Sequence, residues 1–185
     1  MFDRRGGRKY LNEVERHSFL RAAREESDPK RRAFCLALFY TGCRISEGLA
    51  LLGERVDLSQ KSVVFETLKR RRKGMFRAVP IPDSLASLLG EIRDNTDHST
   101  RLWKMSRPTA YRIVKECMKR AGVTGGMASP KGLRHGFAIA CLAQNIPLTT
   151  VQKWLGHARL ETTAIYLAVS GDEERNLARR LWDES

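Results

Sequence analysis

The sequence has no C-x-x-C pair, no internal repeat and no low-complexity stretch longer than a few residues. Its four cysteines, Cys35, Cys43, Cys117 and Cys141, stand apart in apolar or helical contexts. That excludes a zinc ribbon or a disulfide frame and predicts reduced, small core residues. Long hydrophobic runs are missing too. The longest, Ala33 to Tyr40, has eight residues, whereas a membrane span needs about 20. No signal-type apolar region lies near the N-terminus. A cytoplasmic protein with no membrane association is expected. Acidic residues are in deficit: 21 Asp and Glu stand against 34 Lys and Arg, a net charge of +13. The excess favours a polyanion partner, most simply nucleic acid. What is present is enough for a core. The chain is 185 residues long and 42% hydrophobic, which excludes a disordered basic tail as the whole account.

The pattern along the chain is α+β, mainly α-helical with one small antiparallel sheet. Residues 1–10 form a basic arm expected to be flexible. Asn12 with Glu15 has the spacing of a capping box and opens a helix to Ala23. Asp28-Pro29 breaks the chain, and an apolar, central helix runs over 31–40 until Thr41-Gly42 stops it. A short helix covers 44–52. Lys61 to Leu68 and Met75 to Ile81 read as two strands, with a short third at 55–58. Between the two long strands lies a basic tip, Lys69-Arg70-Arg71-Arg72-Lys73-Gly74. Asp83 is expected to cap a helix to Ile92. Ser106 and Pro108 open another that ends at Gly122. Further helices are expected at 132–144, 149–155, 161–168 and 172–182.

Three segments stand out together: Thr41-Gly42-Cys43-Arg44-Ile45-Ser46-Glu47, Lys131-Gly132-Leu133-Arg134-His135, and Leu155-Gly156-His157 followed by Tyr166. In order and spacing they resemble the active-site boxes of the tyrosine recombinase (phage integrase) family: T-G-x-R-x-S-E, H-x-x-R, G-H, and a Tyr nine residues later. The resemblance covers nearly the whole chain, from about Leu11 onward. Each box alone has a bland explanation, such as a solvated Arg44–Glu47 pair or a half-buried Tyr166. Their joint order, with a basic hairpin between the first and second, does not.

The residue types suit phosphodiester chemistry. Two arginines offer planar, permanently charged donors to a pentavalent phosphorane, and Arg44 and Arg134 are the candidates. Tyr166 is the candidate nucleophile. Its phenol has a pKa near 10, so it needs help to lose a proton. The resemblance implies a 3′-phosphotyrosine intermediate. It implies a hairpin Lys as general acid, with Lys69 the better match and Lys73 the alternative. It also implies that His157 hydrogen-bonds a phosphate oxygen. Glu47 would support the site and buffer its charge, and His135 would pack or bond backbone behind it. Arg70, Arg71, Arg72 and Lys73 are expected on DNA. No metal or cofactor is implied.

The chain departs from the family pattern at three places. Lys131 stands where the family has His, and either retains that residue's role or clamps phosphate. Leu167-Ala168 replaces the frequent Tyr-x-His. About ten residues precede the first helix, which leaves no N-terminal core-binding domain and a catalytic domain over 11–185. In this the chain is similar to short invertases that switch fimbrial promoters. The implied activity is site-specific strand cleavage and rejoining on double-stranded DNA. The implied assembly is a tetramer on DNA, with a monomer or other state when free. The helix at 172–182 either docks on its own domain or is exchanged between protomers, and an accessory DNA-binding protein is a further expected partner. The alternatives are a catalytically impaired DNA-binding regulator of the same fold and a type IB topoisomerase-like enzyme. RNA binding would need stacking aromatics on the sheet, where only Phe65 and Phe76 are available.

Overall fold

The computed structural model of the chain describes residues 6–67, 74–95 and 97–167. Among the described residues, eight α-helices and three strands follow one another as α1 (Glu13–Arg24), α2 (Pro29–Thr41), α3 (Ile45–Leu49), β1 (Val56–Asp57), β2 (Ser62–Glu66), β3 (Phe76–Pro80), α4 (Asp83–Asp94), α5 (Arg107–Arg120), α6 (Pro130–Ala143), α7 (Leu148–Leu155) and α8 (Glu161–Ala164), with one 3-10 turn at Gly53–Arg55. The fold class is the expected one, mainly helical with a small antiparallel sheet. No helix among the described residues is long and apolar enough to cross a membrane.

Local chemistry sets most boundaries. The Asn12 side chain accepts from the Glu15 amide while Glu15 accepts from the Asn12 amide, a complete capping box. Asp28 caps α2 through the amides of Lys30 and Arg31. Ser106 and Ser129 cap α5 and α6. Two expectations shift. Residue 83 is the first residue of α4, not its cap; Pro82 takes the cap position and makes no side-chain bond. The Asp83 carboxylate instead meets Lys61 at 2.9 Å. Helix α6 begins at Pro130, two residues early, because a proline without an N–H is at home in a first turn.

Helix α2 is the hub, buried along most of its length and packed against α1, α4 and α6. Around it lies the main core, which includes Phe19, Phe34, Leu38, Leu85, Leu89, Trp103 and Met118. All four cysteines are buried. The sheet has the order β1-β2-β3, with Val63 opposite Val79 and Phe65 opposite Arg77. A second, smaller cluster joins Phe137, Ala138 and Cys141 of α6 to Val151 and Leu155 of α7 and to Tyr166. Trp154 touches both clusters. Of the sequence-expected site residues, Tyr166 is part of this second cluster.

Candidate active site

Arg44 sits between α2 and α3. The left-handed turn at Gly42 (φ 59°) ends α2, and a Cβ there would collide with the Phe137 ring. Glycine therefore lets α2 and α6 meet at this point. Glu47 then folds back on Arg44. Its Oε2 accepts from the Arg44 amide at 2.9 Å and its Oε1 from Arg44 Nη1 at 2.8 Å. The Trp103 indole N–H donates to the Gly48 carbonyl and anchors α3 from below.

Arg134 comes from the first turns of α6 and is 7% exposed. Nη1 donates to the Gly42 carbonyl at 2.8 Å and Nη2 to the Leu155 carbonyl at 2.7 Å. The guanidinium thus bridges the ends of α2 and α7, where carbonyls lack helical partners. Nη2 also lies 3.0 Å from His157 Nε2. A guanidinium only donates, so Nε2 accepts and the His157 proton sits on Nδ1. Nδ1 then donates to Thr163 Oγ1 at 2.9 Å. Burial, with Arg44 nearby, pulls the Arg134 guanidinium down to about 10, opposed by Glu47. It stays charged at neutral pH.

One functional-site residue escaped the motif reading. Arg77 on β3 is buried beside the centre of the site, with Nη2 at 2.6 Å from Glu47 Oε2 and Nε donating to the Trp154 carbonyl at 2.8 Å. Its guanidinium lies over the Phe65 ring at 5.3 Å. The available signal was alternation: residues 77 and 79 share the inward face of β3, and 77 is a cation. Glu47, its side chain 1% exposed, therefore serves Arg44 and Arg77 directly, with Arg134 Nη1 3.9 Å away. Burial would raise the Glu47 carboxyl. The Arg77 charge and the hydrogen bonds from Arg44 and Arg77 outweigh it and hold the carboxyl below its ordinary value.

Gly156 closes α7 with φ 64°. A Cβ there would approach Arg77 Nη1 to 2.9 Å. The glycine of the Gly156-His157 pair thus makes room for a guanidinium as well as a turn.

Tyr166 is 2% exposed and belongs to the second core cluster. Its ring stacks on His157, with centroids 6.3 Å apart and planes 14° from parallel. Its hydroxyl lies 2.8 Å from His135 Nδ1. His135 was expected to pack or bond backbone; it bonds the tyrosine side chain instead. The reason is helical geometry. One residue on from Arg134 turns the side chain toward α7 and the segment that carries Tyr166, away from the arginine cluster. Burial pushes the Tyr166 phenol up, opposed by the charges of Arg134 and Arg44. Burial, then the positive charges of Lys131, Arg134 and Lys9, pull His135 down to about 4.

Lys131 is exposed on the first turn of α6. Lys69, Arg70, Arg71, Arg72 and Lys73 lie outside the described residues, as does the helix expected at 172–182. The described part of the hairpin carries its register as far as the Thr67 amide, which donates to the Met75 carbonyl at 2.8 Å. The structure therefore brings Arg44, Glu47, Arg134, His135, His157 and Tyr166 together and adds Arg77 to them.

Such a cluster, with two arginines held on one carboxylate beside an imidazole and a phenol, suits an anionic, phosphate-bearing polymer. The model of the phage integrase family matches residues 9–173, and the chain belongs to that family, the tyrosine recombinases. Tyrosine recombinase XerA of Pyrococcus furiosus is 33% identical over 159 residues, covering 80% of this chain and 54% of that protein. The crystal structure of XerA recombinase aligns with a TM-score of 0.78 at 26% identity, over 95% of this chain and 66% of that one. XerH site-specific recombinase bound to its palindromic difH substrate, in a post-cleavage complex, aligns at 0.77 with 25% identity, over 95% and 54%. The chain spans about half to three fifths of the curated relatives it matches.

Proposed function

We propose that this chain cleaves and rejoins DNA strands at specific sites. The Tyr166 hydroxyl loses its proton to water and its oxygen bonds to phosphorus, while the bond to the 5′ oxygen breaks and that oxygen takes a proton from a hairpin lysine, giving a 3′-phosphotyrosine. The reverse attack by a 5′ hydroxyl restores the diester and frees the tyrosine. Arg44 and Arg134 stabilise the phosphorane, and His157 bonds a phosphate oxygen. Lys69, with Lys73 as the alternative, protonates the leaving oxygen, and Lys131 adds a phosphate contact. Arg70 to Lys73 hold the DNA backbone beside them. The observation that carries this reading is that Glu47 braces the Arg44–Arg134 pair while His157 both bonds Arg134 and stacks on Tyr166. The DNA-bound XerH relative supports a duplex partner. The family supports a site-specific assembly on DNA, which we take to be a tetramer working in the cytoplasm.

A nicked suicide duplex tests the reading. Wild-type protein should leave a covalent protein–DNA adduct on a denaturing gel, and Tyr166→Phe should abolish it. Two observations favour a second reading, a DNA-binding regulator without strand transfer: the lysine at 131 and the deep burial of Tyr166. That reading predicts sequence-specific retention of the duplex with no adduct at any protein concentration.

A further inference from the structure

The contact between His135 and Tyr166 brings together two groups that the strand-transfer chemistry treats differently. Tyr166 must present its oxygen to a phosphate on a DNA surface. In the structure that oxygen is inside the protein, 2.8 Å from a buried imidazole nitrogen. The other imidazole nitrogen, His135 Nε2, is buried with no hydrogen-bond partner among the described residues. These two facts fix the tautomer by counting. If Nδ1 carried the proton, it would donate to the phenol oxygen. Nε2 would then be an empty acceptor, and the phenol O–H would be left without a described partner as well. If Nε2 carries the proton, the phenol donates to Nδ1 and one group alone is unpaired. Either arrangement leaves one buried donor unpaired, and only the first adds an empty acceptor, so the second arrangement is the economical one.

We propose that His135 is a positioning residue that latches the Tyr166 hydroxyl inside the domain, so that the nucleophile must leave a protein hydrogen bond before it reaches a phosphate. The proposal rests on the strand-transfer reading above. The phenol proton points at Nδ1, yet it does not transfer. Burial pulls the imidazole down and pushes the phenol up, so the neutral pair is the favoured form. The contact therefore restrains the nucleophile and does not activate it. Lys131, where the family pattern has His, is exposed. The imidazole that touches the tyrosine in this chain is at 135, four residues further along the same helix.

The test pairs two readouts on full-length protein. His135→Phe keeps a ring in the cluster but removes the acceptor. It should raise the rate of adduct formation on the nicked suicide duplex about fivefold, the worth of one neutral hydrogen bond, with duplex affinity unchanged. It should also speed nitration of Tyr166 by tetranitromethane, read by peptide mass. His135→Gln restores an acceptor and should return both rates toward wild type. Unchanged nitration overturns the latch. Faster nitration with slower adduct formation also overturns it, because His135 would then assist attack. If wild type forms no adduct, the strand-transfer reading fails while nitration still judges the latch. If His135→Phe does not fold, nitrogen-15 NMR decides. Wild type should show the proton on Nε2 and a Nδ1 resonance that moves in Tyr166→Phe; a resonance that stays put overturns the proposal.

Discussion

Glu47→Gln should be among the most damaging single-atom changes available to this chain. It replaces one carboxylate oxygen by an amide nitrogen and leaves the volume unchanged. The carboxylate is 1% exposed and lies 2.8 Å from Arg44, 2.6 Å from Arg77 and 3.9 Å from Arg134. Each pair at such range is worth about 4–6 kcal/mol of gross Coulomb energy at an effective dielectric near 20. Much of that offsets the desolvation of the ions, so the gross sum is not the loss. The relevant comparison is a buried pair with one partner removed, which costs about 3–5 kcal/mol. Arg44, whose side chain is 33% exposed, can turn toward water. Arg77, at 5%, cannot, and it keeps the loss near the upper figure. For a domain of this size that corresponds to roughly 10 °C in Tm, out of a total stability of about 5–15 kcal/mol.

Urea unfolding is the direct assay, with the midpoint falling and the slope m unchanged. Two further readouts separate charge from packing. Sulfate should recover more stability in Glu47→Gln than in wild type, because three guanidinium groups are left without their anion. The acid limb should change as well. The Glu47 carboxyl is held below its ordinary value in the folded chain, so it contributes stability above the unfolded carboxylate range that is lost as pH falls through the folded value. That part of the acid limb should be absent in Glu47→Gln. A loss under about 1 kcal/mol, the size of an exposed ion pair, together with no sulfate effect, would refute the account of Glu47 as the shared counter-charge.

Three more outcomes are expected. His135, pulled down to about 4 by burial and neighbouring cations, gives stability that is complete above pH 6.5 and lost as pH falls through 4, up to about 3 kcal/mol; the urea midpoint of wild type relative to that of His135→Phe should fall as pH falls over that window. Gly156→Ala puts a Cβ at φ 64° and 2.9 Å from Arg77, so it should cost at least about 1 kcal/mol from the backbone and more from displacing Arg77, read by the same unfolding assay. Lys131→Gln should reduce the salt dependence of duplex binding by about one phosphate contact; an unchanged slope would place Lys131 away from the DNA backbone.

The parts of the site that could be read in the sequence are those whose chemistry is local. Arg44 and Glu47 share one short segment, and their contact follows from a three-residue spacing next to a glycine stop. The Gly156-His157 pair is a helix end, and Gly-His after an apolar turn says so directly. The caps at Asn12 and Ser106 are likewise contained within four residues. What could not be read depends on long-range register. Arg77 reaches Glu47 across 30 residues. Strand alternation alone says that residue 77 faces inward, not that a carboxylate waits there. His135 reaches Tyr166 across 31 residues. Nothing near either residue says that α6 packs against α7 and the segment carrying Tyr166 at that depth. Motif spacing lists the reacting groups, whereas the tertiary packing decides which of them are in contact before a substrate arrives.

The charge count of the site links this packing to the overall composition. Three guanidinium groups, Arg44, Arg77 and Arg134, share the single carboxylate of Glu47. The cluster therefore holds an uncompensated excess of two positive charges, in a place too buried for solvent to screen fully. Arg77 and Arg134 have spent their donors on Trp154, Gly42 and Leu155 carbonyls and on His157, so they are rigid. Arg44 is the most exposed of the three and the one able to turn. An anion entering beside Arg44 would neutralise part of the excess without disturbing the core, and a phosphodiester has the single negative charge and the paired oxygens that a guanidinium fork accepts. On the proposed function, the net charge of +13 would draw a polyanion near, and the local excess around Glu47 would favour a phosphate at one position along it.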